Sequence, residues 1–198
     1  MIKPDEGYIK FNLNWSEKTF GFKECDYLEI NSCRNRLYEL GLIGAYPDGI
    51  GFGNISIRDI ANEFIISGSA TGNFKNLSKK QYSLVRDYNI PKNSVHCKGI
   101  SKASSESLTH AAIYETNKEI MAVIHIHNEC MWNKYKNELP TTNVKAEFGT
   151  PEIALEIQKL TIHNQGIIIM GGHPEGIISY GNSLHEAEEI LLNYYNNI

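Results

Sequence analysis

Several things are scarce or missing in this chain, and each absence narrows the reading. Cysteines number only four in 198 residues, and none forms a C-x-x-C pair. Cys25, Cys33, Cys97 and Cys130 are too scattered to suggest a disulfide framework, so they read as free, buried thiols of a reducing compartment. No apolar run approaches the roughly 18 residues of a membrane span. The opening, MIKPDEGYIK, lacks the apolar core of a secretion signal. A cytoplasmic protein with no membrane partner is the expectation. There is also no basic block, and the formal net charge is −4. This argues against binding to the backbone of DNA or RNA. A small phosphorylated ligand needs only a local site, so the charge leaves one open. Repeats and low-complexity tracts are absent.

What is present is ordinary for a folded domain: 41% apolar and 21% charged residues. The length fits one domain with a small N-terminal addition, and it suffices to bury a sizeable core. The stretch GYIKFNLNWSEKTFGF alternates loosely and predicts one strand. Residues 24–42 predict a helix in which Leu37, Leu40 and Leu42 close the amphipathic pattern, with the Gly-rich IGAYPDGIGFG stopping it. NISIR and EFIIS predict a hairpin. LSKKQ offers a Ser78/Gln81 capping box for a short helix. YSLVRDY and SVHCKG predict further strands.

Residues 104–117 predict a helix with Ala and Leu on one face, followed by the strand IMAVIHIH. GTPEIALEIQKL predicts a helix with Thr150 as N-cap and Pro151 at its first position. GIIIMGG and GIISYG are strands around a turn. The last helix opens on a Ser183/Glu186 capping box and buries Leu184, Ala187, Leu191 and Tyr194. Several strands are joined as hairpins rather than by helices. The expected fold is therefore α/β, a mixed and mainly antiparallel sheet covered by helices on both faces.

The chemistry starts at AVIHIHNEC. His125 and His127 are spaced i, i+2, so on a strand their imidazoles share one face. Two neutral imidazoles side by side suit a divalent ion such as zinc, although such a pair can also simply hydrogen-bond in a half-buried sheet. A catalytic site needs a third protein ligand and an open position. Other metal folds built on H-x-H fit badly. Glu129 follows too closely, no Asp-His pair comes after, and the chain is short for a barrel of about 250 residues. Three further segments look specialised. FGNISIR and ISGSATG are rich in Gly, Asn, Ser and Thr, and SKASSESLTH puts adjacent serines before a predicted helix start. Each alone reads as a turn or a cap. Helix-start N–H groups with hydroxyl donors also hold anions, so beside a metal pair they suggest a phosphate and a metal in one cleft.

Taken in order, GNISIR, ISGSATG, SSESLTHAAIY, VIHIH, GTPEIA and GGHPEGIISYGNSLHEA resemble the class II aldolase/adducin family, which contains sugar-phosphate aldolases, epimerases and dehydratases. The resemblance spans about residues 28–192. It implies a domain over 28–198, a three-layer α/β/α sandwich, with residues 1–27 as an extension packed on it. It implies Zn2+ or another divalent cation as cofactor, with His173 as third ligand from the turn between two late strands. Pro174 and Glu175 intervene there before Gly176, a departure from the family's N-H-G. His163, in a polar loop, is the competitor; His96, His110 and His185 read as structural or surface residues.

The resemblance also implies Glu106 as catalytic acid/base, where the epimerase branch uses Asp. It implies Asn54, Thr71, Gly72, Ser104 and Ser105 as the phosphate cradle. The expected activity is retro-aldol cleavage of a sugar phosphate. A dehydratase or epimerase of the same family, or a non-catalytic adducin-like interaction domain, are the alternatives. A homotetramer is implied, its sites formed at subunit contacts. Some relatives take a tyrosine from a neighbouring subunit as proton donor. No tyrosine lies between Tyr135 and Tyr180, which leaves Tyr194 and Tyr195 as tail candidates, Tyr194 also suiting the helix stripe.

Overall fold

The computed structural model describes residues 8–198. The expectations that fall on residues 1–7, including most of the opening segment, lie outside the described residues. In chain order the elements are β1 (Asn12–Ser16), α1 (Glu24–Glu39), β2 (Gly44–Ala45), β3 (Gly51–Phe52), β4 (Asn54–Arg58) and β5 (Phe64–Ser67). A single 3-10 turn (Lys79–Gln81) leads into β6 (Tyr82–Asn89), β7 (Ser94–Lys98), α2 (Ser107–Thr116), β8 (Ala122–His127) and α3 (Glu129–Tyr135). Then come α4 (Pro151–Leu160), β9 (Gly166–Ile169), β10 (Gly176–Gly181) and α5 (Leu184–Tyr195).

Eight strands form one sheet in the order β1-β7-β6-β5-β4-β8-β10-β9, while β2 and β3 pair separately as a ribbon. Among the described strands of this sheet only β1 runs parallel to its neighbour, β7. Alternation along the strands splits the interior into two cores. Val123, Ile178 and Tyr180 face Leu108, Ala111 and Ala112 of α2 and Ile153 and Ile157 of α4. Ala122, Ile124, Ile126 and Ile177 face Ile30 and Leu37 of α1, Met131 of α3, and Leu184, Ala187 and Leu191 of α5. This is a three-layer α/β/α sandwich around a mixed, mainly antiparallel sheet, as the sequence pattern predicts. Among the described residues no helix is long and apolar enough to cross a membrane.

The helix starts follow their caps. Thr150 Oγ1 accepts from the Ile153 N–H ahead of Pro151, and Ser183 Oγ accepts from Glu186 N–H at 3.1 Å. Glu186 turns its carboxylate to the Asn182 N–H at 2.6 Å rather than to that of Ser183, so this capping box is displaced by one residue. Gln81 Oε1 does accept from Ser78 N–H, at 2.7 Å.

The structure differs from the sequence reading elsewhere too, beginning with the first strand, which is confined to Asn12–Ser16. α1 stops at Glu39, and Leu40 at its C-cap is 41% exposed although Leu37 and Leu42 are buried. α2 starts at Ser107, leaving Ser104, Ser105 and Glu106 on the turn before it, and every residue from Ser107 to Tyr114 is buried because α4 covers its outer side. α3 and the β2–β3 ribbon are additional elements; α3 is launched by Asn128, whose Oδ1 accepts from Met131 N–H at 2.8 Å. All four cysteines are free, but only Cys33 and Cys97 are buried, whereas Cys25 and Cys130 are exposed.

Candidate metal centre

His125 and His127 alternate with the core residues Ile124 and Ile126, so both point to the α2/α4 side of the sheet. β8 lies between β4 and β10, with Asn54 opposite His125 and Gly176 opposite His127. The turn from β9 to β10 then folds His173 over the pair. Its N–H donates to Met170 O at 3.0 Å, and its own carbonyl accepts from Gly176 N–H at 2.9 Å. One ligand atom from each of the three histidines lies within 4.8 Å of the others, and all three residues are buried. His127 Nε2 and His173 Nε2 are 3.1 Å apart. Two nitrogens bound tetrahedrally at zinc distances of about 2.0–2.1 Å would be about 3.3 Å apart.

The residues fit a metal on a second observation. His125 Nε2 is buried without a hydrogen-bond partner, and a buried polar atom of that kind is costly unless something fills the position. Burial first, then the neighbouring His127 and His173, push the His125 pKa well below its usual value. Burial lowers that of His173 too, with Glu106 pulling it up and Lys10 pressing it down. Neutral imidazoles are what a divalent ion requires.

Glu106 sits at the N-cap of α2, is buried, and makes no side-chain capping bond. Its Oε2 instead accepts from Thr109 Oγ1 at 2.6 Å, and its charge is felt at His173. Asn54, Thr71, Gly72, Ser104 and Ser105 line one depression together with Gly51, Gly53, Gly68, Ser69 and Ala70. Asn54 joins this depression to the histidines, with Nδ2 3.2 Å from His125 Nδ1 and a buried, unpartnered Oδ1. Gly72 is the position where glycine is obligatory, since a Cβ there would come 2.0 Å from Gly44 O on the ribbon. The loop is also held from α1, where the buried Arg34 donates to Thr71 O at 3.0 Å and Lys75 O at 2.8 Å.

The nine sequence-predicted site residues therefore gather as a histidine cluster, a buried carboxylate whose charge reaches it, and a polar depression joined to it at Asn54. His163 is exposed and outside the cluster. His110 is buried between α2 and the sheet, its Nδ1 2.7 Å from Ser56 Oγ, and His96 and His185 are exposed. Tyr194 and Tyr195, in the last turn of α5, are half-buried against the opposite core, so Tyr194 is covered only in part where full burial was expected, and neither serves the histidines of its own chain.

Sequence reasoning missed Tyr46, Phe148 and Lys10. Tyr46 Oη lies 2.9 Å from His127 Nδ1, Phe148 lies against His173 with ring centroids 4.7 Å apart, and Lys10 Nζ stands 3.9 Å from the Phe148 centroid. The signal available for the first was the Pro174–Glu175 departure, since Glu175 is the residue that Tyr46 holds.

Among solved structures, an L-fuculose 1-phosphate aldolase is 21% identical, with TM-score 0.69 over 88% of this chain and 84% of that one. The L-fuculose-1-phosphate aldolase of Thermus thermophilus is 19% identical, with TM-score 0.56 over 85% of each chain. A sugar-phosphate aldolase of Thermotoga maritima is 18% identical, with TM-score 0.61 over 86% of this chain and 90% of that one. At these identities the likeness is one of fold. No curated protein sequence matches significantly. Residues 33–194, most of the chain, match the family described as the class II aldolase and adducin N-terminal domain, and the chain belongs to that family.

Proposed function

We propose that this chain is a zinc-dependent lyase that cleaves a sugar phosphate, or a similar phosphorylated ketose, by a retro-aldol reaction. The observation that carries the reading is the buried cluster of His125, His127 and His173 beside Glu106, next to the depression lined by Asn54, Thr71, Gly72, Ser104 and Ser105. A divalent ion in this cluster supplies Lewis acidity for the negative charge that builds on the substrate's carbonyl oxygen as the C–C bond breaks.

The chain's own residues do the rest. Ser104, Ser105 and Asn54 offer uncharged donors to the phosphate, fixing the substrate by a group that does not react. Among the described residues the lining of the depression is uncharged, and it offers the phosphate hydroxyls, an amide and N–H groups near a helix start. Glu106 moves the proton between the substrate oxygen or carbon and the enediolate. Its placement supports this role, because its side chain does not cap α2 and its charge reaches His173. Glu rather than Asp at this position favours cleavage over epimerisation by resemblance to the family's aldolases. A complete three-histidine cluster with a buried acid argues against a purely adducin-like interaction domain. The assembly is proposed as a cytoplasmic homotetramer.

The test combines elemental analysis with mass spectrometry of products from a panel of phosphorylated ketoses. About one divalent ion per chain and two shorter carbon fragments are expected. A product lighter by one water would assign a dehydratase, and an isomer of unchanged mass an epimerase. Absence of metal together with absence of turnover after reconstitution would leave the adducin-like reading. His173→Ala should lose the metal and His163→Ala keep it; the reverse would show that His163 is the third ligand.

A further inference from the structure

The turn that departs from the family pattern carries a structure of its own. Glu175 follows Pro174 and has a left-handed backbone, φ 68°, where glycine is usual. Its main chain is tied down, since its carbonyl accepts from Asn128 N–H at 2.9 Å. Its carboxylate Oε2 accepts from Tyr46 Oη at 2.7 Å, and the same hydroxyl lies 2.9 Å from His127 Nδ1. The carboxylate itself is 3.7 Å from Nδ1, too far for a good direct bond. Tyr46 is therefore the bridge.

A phenol has one proton. Tyr46 donates it to the carboxylate, so the oxygen presents a lone pair to His127, and Nδ1 must carry the hydrogen. That fixes the tautomer in which His127 Nε2 keeps its lone pair, and Nε2 is the atom 3.1 Å from His173 Nε2. Tyr46 is in turn held by the ribbon. Its N–H donates to Ile50 O at 2.9 Å, and its ring lies 4.7 Å from that of Phe52 by centroids. Gly51 of the same ribbon lines the polar depression.

We propose that Tyr46 and Glu175 are positioning residues for the metal: through a hydroxyl relay they orient His127 and fix it as an Nε2 ligand, replacing the family's N-H-G turn with one that supplies its own outer-sphere carboxylate. The inference rests on the metal reading given above. Outer-sphere partners of this kind typically contribute about 10- to 100-fold in metal affinity.

The test uses full-length metal-free protein and zinc alone as the probe, titrated against a chelator of known affinity. The variants are Tyr46→Phe and Glu175→Gln. Both are expected to bind zinc about 10- to 100-fold more weakly than the parent, and the double variant no more weakly than the worse single one, because the two act in series. The visible spectrum of the cobalt-substituted protein should shift in both, a change that loss of general stability would not produce. Melting of the metal-free forms controls for folding.

Unchanged zinc affinity in both variants, with an unchanged cobalt spectrum, would overturn the proposal. So would additive losses in the double variant. If the parent itself holds no metal, the failure belongs to the metal reading rather than to this relay. A Tyr46→Phe variant that fails to fold leaves Glu175→Gln as the deciding measurement.

Discussion

The proposed reading gives Glu106 and Ser105, neighbours in the chain, different tasks, and kinetics should separate them. Glu106 turns its carboxylate toward Thr109 and the histidine cluster, whereas Ser105 lines the polar depression. Glu106→Gln keeps the shape and the metal ligands but removes a group that can exchange protons. Turnover should fall by about 10²- to 10⁴-fold with metal content unchanged. On the same reading Ser105→Ala removes a donor to a non-reacting phosphate, so the loss should appear mainly in kcat/KM. Steady-state kinetics of both variants on one cleaved substrate, with metal measured in parallel, decides the matter. A near-normal kcat for Glu106→Gln at full metal occupancy would return Glu106 to a structural role at the start of α2. The pair His125 and His127 was legible from its i, i+2 spacing on a strand, and the serines before a helix start suggested an anion site, whereas the roles given to Glu106, His173 and the phosphate cradle came from the family resemblance. Tyr46 and Lys10 were not legible, because nothing local marks a residue that reaches the site only through folding of a distant loop.

At the scale of elements, two buried arginines and one histidine hold the site's supports in place. Arg58 on β4 donates to the carbonyls of Tyr114, Asn117 and Ile120, fixing the end of α2 and the turn after it. Arg34 on α1 does the same for the loop that carries Thr71 and Gly72. Arg34→Met leaves two carbonyls without their charged donor, at a cost of about 1.5–3 kcal/mol each. A drop in melting temperature together with weaker phosphate binding is expected, measured by thermal denaturation and by titration with inorganic phosphate. Lysine should not rescue it, since one ammonium does not reproduce the guanidinium fork. A variant that melts lower but binds phosphate normally would show that the loop holds its shape unaided.

His110 makes a second link, from α2 to Ser56 on β4, and its pKa is lowered from 6.5 to about 3 by burial. The unfolded chain therefore binds a proton below about pH 6.5 that the folded chain refuses until about pH 3. Stability from this group is intact above about 6.5 and is lost as the pH falls through that window. Denaturant titrations of metal-free protein should show this acid slope, and His110→Gln should flatten it; an unchanged slope would place the acid sensitivity elsewhere. The strands and most helices were legible from periodicity and caps. The ribbon and α3 were not, being short elements whose existence depends on contacts with the sheet rather than on their own pattern.

The whole molecule raises the question of whether one chain makes a complete site. The histidines, Glu106 and the depression come from a single chain, but no tyrosine at the C-terminus of that chain reaches them, since Tyr194 and Tyr195 pack on the far side of the sheet. The substrate hydroxyl that becomes the aldehyde must lose its proton as the C–C bond breaks, and the group that takes that proton, and returns it in the condensation direction, is then water, a residue already at the cluster, or a residue of a second subunit. The homotetramer proposed from family resemblance supplies the third route. Surface apolar side chains that this chain leaves in solvent, among them Ile60 and Val144, are available for such contacts at 70% and 73% exposure. Apolar side chains standing singly on a surface are common, so their presence permits an interface without requiring one. Light scattering at working concentration should give a mass near four chains. Dilution should lower specific activity as the assembly separates, if subunits complete one another's sites. A stable monomer that is fully active would sink both the tetramer and the shared site. A tetramer whose specific activity holds through dissociation would keep the assembly but confine the chemistry, this proton transfer included, to the residues of one chain.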